Sequence, residues 1–65
     1  MPKGTVSQFD EDNRCGFIEQ DDGEGIFFYD VEVATPGLVL KEGDKVVYGI
    51  ALEYQGKIAV NIHLV

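Results

Sequence analysis

The chain has 65 residues, a length that allows one domain built around one small core. Its single cysteine excludes an intrachain disulfide, and one histidine beside it leaves no ligand set for a zinc site. Twelve acidic against five basic residues give a net charge of −7, a field that repels polyanions and slows their approach.

An apolar content of 45% is that of a globular chain, and no apolar run approaches the ~20 residues of a membrane span. Met1 to Val6 enters a strand pattern at once and lacks the apolar stretch of a signal peptide. With a free Cys15, that points to a reducing, cytoplasmic setting. The first strand is expected over Lys3 to Phe9, with Val6 inward, Thr5 and Ser7 outward, and Gly4 marking a bend or close approach. Asp10 to Arg14 is a polar turn. The second and third strands run from Cys15 to Gln20 and from Gly25 to Tyr29, joined by a turn in which Asp22-Gly23 and Gly25 supply positive φ.

Side chains alternate along a strand. If Ile18, Ile26 and Phe28 face inward, then Cys15, Phe17, Phe27 and Tyr29 share the outer face. Three rings on a solvated sheet surface have two explanations. They pair across the strands and stabilise the hairpin, or they form a platform on which bases stack.

Asp30 to Val33 reads as a single helical turn with Asp30 as its N-cap. Ala34 to Gly37 is a proline–glycine turn, and Leu38 to Leu40 is a short apolar piece. The fourth strand is expected over Lys45 to Tyr54, with Val46, Tyr48 and Ile50 inward. Gln55 to Lys57 then turns into a fifth over Ile58 to Val65. Five short strands and no useful amphipathic helix predict an all-β single domain over residues 1–65. The architecture expected is a five-stranded antiparallel barrel, whose closure removes exposed edges.

Nine of the twelve acids lie between Asp10 and Glu32, in the half that carries the aromatic face, with Arg14 the one base among them. The clusters Asp10-Glu11-Asp12 and Asp21-Asp22-Gly23-Glu24 lack the alternating spacing of a calcium loop and read as solvated turn acids. His63 reads as a surface residue, Cys15 as a small filler, and Tyr54 as exposed at a turn. No Ser-His-Asp set, phosphate-cradling glycine loop or metal-ligand cluster is present, so no enzyme, cofactor or metal site is expected.

In order and spacing, the chain resembles the cold-shock domain family along nearly its whole length. The residues that carry the resemblance are Gly4-x-Val6, Phe9, Gly16-Phe17-Ile18, Asp22-Gly23, Ile26-Phe27-Phe28, Gly37, Leu40-x-Glu42-Gly43, Val46-x-Tyr48-x-Ile50, Gly56, Ala59 and Asn61-Ile62. The resemblance implies an OB-type barrel whose second and third strands bind single-stranded RNA or DNA. Carried over position by position, it implies binding through Phe9, Phe17, Phe27 and Tyr29; Lys3, Arg14 and Lys57 are the bases expected to face the ligand. Tyr29 stands where the family usually has histidine.

Other positions depart from the family. Ser7 replaces a lysine that contacts phosphate, and Gln8 replaces a stacking tryptophan. In the lysine-glycine-phenylalanine-glycine-phenylalanine motif, Asn13, Arg14 and Cys15 stand at the first three places. Asp30 and Leu38 occupy positions of stacking aromatics, and Lys57 and Ile58 those of proline and glutamine. Stacking is worth ~1–3 kcal/mol per base, so three missing platforms remove roughly 3–9 kcal/mol as an upper bound. Weakened binding of single-stranded nucleic acid is the first expectation. The alternative is a module that binds a protein partner or a second copy of itself through the same apolar, acid-rimmed face. The retained rings, which no core requires, favour the first.

Overall fold

Alternation of apolar and polar residues between turn-forming stretches produces five strands in the computed structural model, which describes residues Met1–Val65. They are β1 (Lys3–Asp10), β2 (Cys15–Gln20), β3 (Gly25–Tyr29), β4 (Lys45–Glu53) and β5 (Gly56–Leu64), with one short 3₁₀ turn at Asp30–Glu32. The second and third strands lie where expected; β1, β4 and β5 differ from expectation by one or two residues at their ends. The sheet closes on itself in the order β1-β2-β3-β5-β4, with β4 returning to β1.

One seam corrects the antiparallel expectation. β3 and β5 run parallel, registered at Phe27 opposite Ile58, whereas the other four seams are antiparallel. Parity requires this. A closed ring with an odd number of strands cannot reverse direction at every seam.

The barrel encloses Val6, Ile18, Ile26, Phe28, Leu40, Val46, Tyr48, Ala59 and Ile62, and no charged or polar side chain is buried with them. Ile50, expected inside, is 44% exposed. It faces the same side as buried Ala59, its partner across the β4–β5 ladder. However, β1 flanks β4 only as far as Val47, so the β4–β5 hairpin projects past the barrel and Ile50 stands at its open mouth. Leu40, Ala59 and Ile62, which strand alternation does not mark, complete the core.

Two bulges set which residues point inward. In β1 the register slips at Ser7, between Val6 and Gln8, so the next inward residue after Val6 is Phe9, three positions on. In β5 it slips opposite Tyr48, and the buried residues Ala59 and Ile62 are likewise three apart. The second bulge places Asn61 at φ 52, a left-handed conformation that asparagine adopts more readily than most residues. Its N–H donates to Glu32 Oε1 at 3.4 Å, while Ala34 N–H donates to the Ile62 carbonyl at 2.8 Å. The β3–β4 connection is thereby held along β5.

Two glycines leave no room for a side chain between β1 and β2. A Cβ at Gly4 would fall 2.5 Å from Ile18 Cγ2, and one at Gly16 would fall 2.2 Å from the Gln8 carbonyl oxygen. The second contact is with backbone, which cannot rotate away. The N-cap of the 3₁₀ turn is Tyr29, with extended backbone and no side-chain cap, rather than Asp30.

Tyr48 is the largest fully buried side chain. Its hydroxyl reaches the end of the barrel and donates to Gln20 Oε1 at 3.1 Å, with the Lys3 carbonyl at 3.4 Å as a second acceptor. Burial pushes the phenol pKa up, and the Asp22 and Asp21 carboxylates add to the shift. A raised pKa in the folded state stabilises the fold fully below the unfolded value near 10 and loses that contribution as pH rises through the folded value. Tyr48→Phe is expected to cost about 0.5–1.5 kcal/mol near neutrality through the lost hydrogen bond. The gap between variant and parent is expected to narrow above pH 10. Urea melts across that range check it, and a gap independent of pH would contradict the assignment.

Candidate nucleic-acid interface

The β2–β3 ladder pairs Cys15 with Tyr29, Phe17 with Phe27, and Ile18 with Ile26. Directly opposed residues share a face. Ile18 and Ile26 are buried, so Phe17 and Phe27 face out, in the same sense as Cys15 and Tyr29. The rings of Phe17 and Phe27 meet edge to face, with centroids 5.3 Å apart, and Phe27 meets Tyr29 in the same way at 4.9 Å. Phe17 remains 44% exposed and Tyr29 42%, while Phe27 between them is half-buried. Cross-strand pairing and an accessible platform are therefore not alternatives here. The pairing holds the rings in place and leaves the outer two open.

The neighbouring strands border this row. On the β1 side Gln8 lies opposite Phe17, and Asp10 lies opposite Cys15. A cleft runs there between Gln8, Phe9, Asp10, Cys15, Phe17 and Glu42. On the β5 side, Phe27 and Tyr29 line a hollow of about 260 Å³ with Gln55, Lys57 and Ile58. The parallel seam brings Lys57 and Ile58 to the rings, and pairing in chain order alone would not have placed them there. Lys3 is elsewhere, paired with Val47 and with its carbonyl accepting from Asp21 N–H beyond the end of β2.

Two of the expected residues do not join the row. The bulge at Ser7 brings Phe9 opposite Gly16 on the inward side, where its ring lies nearly parallel to buried Phe28, with centroids 6.0 Å apart. Arg14 occupies the end of the β1–β2 turn at φ 58. Its Nε donates to Asp30 Oδ2 at 2.9 Å, and its carbonyl accepts from Asp30 N–H at 2.9 Å. Asp30's hydrogen bond, and then its charge, raise the pKa of the guanidinium. Arg14 lines another cavity of about 240 Å³ with Glu11, Asp30, Val33, Leu38, Val39 and Leu40, and Phe9 borders both that cavity and the cleft beside Phe17. Of the six residues, Phe17, Phe27, Tyr29 and Lys57 gather on the outer face, Arg14 stands at the end of the ladder, and Phe9 lies between the two.

The turn before β2 is organised by Asp10. Its carboxylate accepts from Asn13 Nδ2 at 2.7 Å and from the backbone N–H groups of Asp12 and Asn13. The Asn13 bonds lead in holding its pKa below the usual carboxylate value. Asp10 is therefore a structural anion of the turn. No set of three His, Cys, Asp or Glu side chains is disposed to hold a metal ion. Cys15 is half-buried between Asp10 and Tyr29, His63 is exposed opposite Val47, and Tyr54 is 98% exposed at the hairpin tip. No helix is long and apolar enough to cross a membrane.

The barrel has counterparts among proteins of known structure and sequence. The structure of "drosophila Unr CSD456" superposes with a TM-score of 0.84 over 98% of this chain at 20% identity, and the chain spans 26% of that larger protein's length. In sequence, the Major cold shock protein of Streptococcus pyogenes serotype M6 is 35% identical over 63 residues, 95% of this chain and 94% of the relative. Cold shock protein 2 of Lactiplantibacillus plantarum is 36% identical, with 95% and 96% covered. Cold shock protein CspC of Bacillus subtilis is 32% identical over the same shares. The family model described as the 'Cold-shock' DNA-binding domain matches residues 2–65, and with these identities it places the chain in the cold-shock domain family.

Proposed function

We propose that the chain binds single-stranded RNA or DNA by stacking bases on Phe17 and Tyr29, with Phe27 between them and Lys57 at the edge as the nearest cation. The observation that carries this reading is the row of three mutually braced rings on an outward face where the core has no use for them. Membership of a family described as a DNA-binding domain supports it. The site's chemistry sets the strength. Asp10 and Glu42 border the rings on one side, and Arg14 is engaged by Asp30. Binding is therefore weak, and stacking contributes more than charge. A free, half-buried Cys15 suits a reducing cytoplasm.

Stacking on one ring is worth ~1–3 kcal/mol per base, so Phe17→Ala or Tyr29→Ala is expected to weaken oligonucleotide binding by roughly 5- to 150-fold. Each truncation also removes an edge-to-face contact with Phe27 worth ~0.5–1.5 kcal/mol, so the thermal midpoint is expected to fall by several degrees while the variant stays folded. Each phosphate contact on a single strand contributes roughly −0.7 to the log–log salt slope, and with few bases at the face the slope is expected to be no steeper than about −2. Fluorescence titrations of parent and variants at several salt concentrations check both. Undiminished affinity without the rings, or a steep slope, would overturn the reading.

The reverse experiment adds rings. Gln8 and Cys15 stand opposite Phe17 and Tyr29 on the outer face. The double variant Gln8→Trp, Cys15→Phe extends the row on the β1 side. Two further stacking contacts at the lower value predict at least a ~30-fold gain in affinity for an oligonucleotide. No gain in a folded double variant would show that this part of the face does not meet the ligand.

A second reading, association with a protein or a second copy, is favoured by a separate observation. Ile50 and Leu52 alternate along the projecting part of β4 and Tyr54 follows at the hairpin tip, with Leu52 and Tyr54 80% and 98% exposed. Sedimentation across a wide concentration range tests it for self-association. A rising mass that Leu52→Glu abolishes is expected under this reading, and a constant monomer mass removes the self-association version.

A further inference from the structure

β4 is flanked on both sides only in its first part. β1 pairs with it from Lys45 to Val47, and the last hydrogen bond on that side runs from Tyr48 N–H to the Pro2 carbonyl at 3.2 Å. From Gly49 to Glu53 the strand pairs with β5 alone. Along a strand, backbone groups point alternately to its two sides. Tyr48 N–H points away from β5, so the N–H and C=O groups of Ile50 and Leu52 point that way too. They have no partner within the chain.

Open edges are ordinarily guarded by lysine, proline or a bulge. None stands between Gly49 and Leu52, and the first charge is that of Glu53. The larger side chains there are apolar and open to solvent, with Ile50 44% exposed and Leu52 80%. Charge decides what completes such an edge. Ile50 shares a hollow of about 430 Å³ at the barrel mouth with Asp22 and Glu24, against which Lys57 is the one base. Glu53 stands exposed at the far end. With a net charge of −7 on the whole chain, a second copy meets like charge, whereas a cationic segment meets the opposite one.

We propose that the β4 edge from Gly49 to Glu53 takes an extended, basic segment of a partner protein as an added antiparallel strand. This rests on the second reading, association with a protein, and commits it to one class of partner and one mode of docking. The segment's backbone bonds the open groups of Ile50 and Leu52. Residues opposite one another share a face, so apolar side chains of the segment cover Ile50 and Leu52. The alternate ones lie beside Ala51 and Glu53, where a lysine or arginine meets an anion. β5 stands between β4 and the aromatic row, so the two surfaces are occupied independently.

The probe is a fluorescently labelled peptide of alternating lysine and valine, about eight residues long to match a strand. Anisotropy titration is expected to show binding that weakens as salt is raised. A peptide with glutamate in place of lysine is expected not to bind. With valine over Ile50 and Leu52, the valine nitrogens face β4, and methylating them is expected to weaken binding by roughly 10-fold or more. Methylating the lysine nitrogens instead is expected to leave it unchanged. In the chain, the Ile50 and Leu52 amide hydrogens are expected to become protected from exchange when the peptide binds. Leu52→Pro deletes an edge N–H without touching the β4–β5 ladder and is expected to abolish binding, whereas Phe17→Ala is expected not to alter it.

An acidic peptide that binds equally, or two methylated peptides that behave alike, would overturn the inference and leave association with a protein standing. A mass that rises with concentration in the absence of peptide would give the edge to a second copy, with the same consequence. If the basic peptide does not bind and the chain stays monomeric, the inference and the second reading both fall.

Discussion

The structure depends on how tightly β1 lies against β2. A sheet of five short strands closes around nine buried side chains only if neighbouring backbones come near each other, and at Gly4 and Gly16 there is no room for a Cβ. That contact fixes the register of β2. With Ile18 directed inward, Phe17 has nowhere to go but out. The aromatic row is thus a geometric consequence of closing a small barrel. Alternation carries Phe17, Phe27 and Tyr29 to the surface, where Phe27 braces the two beside it.

Charge plays an unequal part. With the Arg14 side chain 75% exposed, its ion pair with Asp30 adds little to stability, as is usual for pairs open to solvent. Holding Arg14 in a left-handed conformation works against it further, by about 1–2 kcal/mol for an L-residue with a Cβ. An interaction that stabilises so little while its backbone is strained is better understood as shaping a surface than as holding a fold. The acids of the Asp10 turn do the opposite. Asp10 is consumed in hydrogen bonds to Asp12 and Asn13 and organises the entry to β2.

Much of this was legible in the sequence, for a physical reason. Where alternation is unbroken, as from Cys15 to Tyr29 across a glycine turn, burial follows from residue parity, and the faces of β2 and β3 follow with it. Parity fails at bulges. The extra residue at Ser7 turns Phe9 toward Phe28, and the one near Asn61 gives Ala59 and Ile62 a spacing of three, which no period-two reading detects. Leu40 was hidden differently, because it enters the core from a segment with no regular structure. Ile50 follows parity and is still exposed, since alternation says which side a residue faces and not whether the barrel extends that far. Only pairing partners reveal where a barrel ends, or that Arg14 reaches across to Asp30. How far the row of rings, or Arg14 and Lys57, meets a ligand is a matter of chemistry that folding geometry alone does not decide.

The parallel seam has a consequence for the order of folding. The contacts within β1–β2–β3 and within β4–β5 are local hairpins, which form early because little chain must be restrained to make them. The two joins between these halves, β1 to β4 and Phe27 to Ile58, connect residues 40 to 44 and 31 positions apart and carry the larger loop-closure entropy. Kinetically the molecule is two ready-made ribbons waiting to be sealed. Lys57 and Ile58 reach Phe27 and Tyr29 only through that last join. A partly folded chain would present its rings with no cation beside them, so the complete face arises with closure of the barrel and is lost with it.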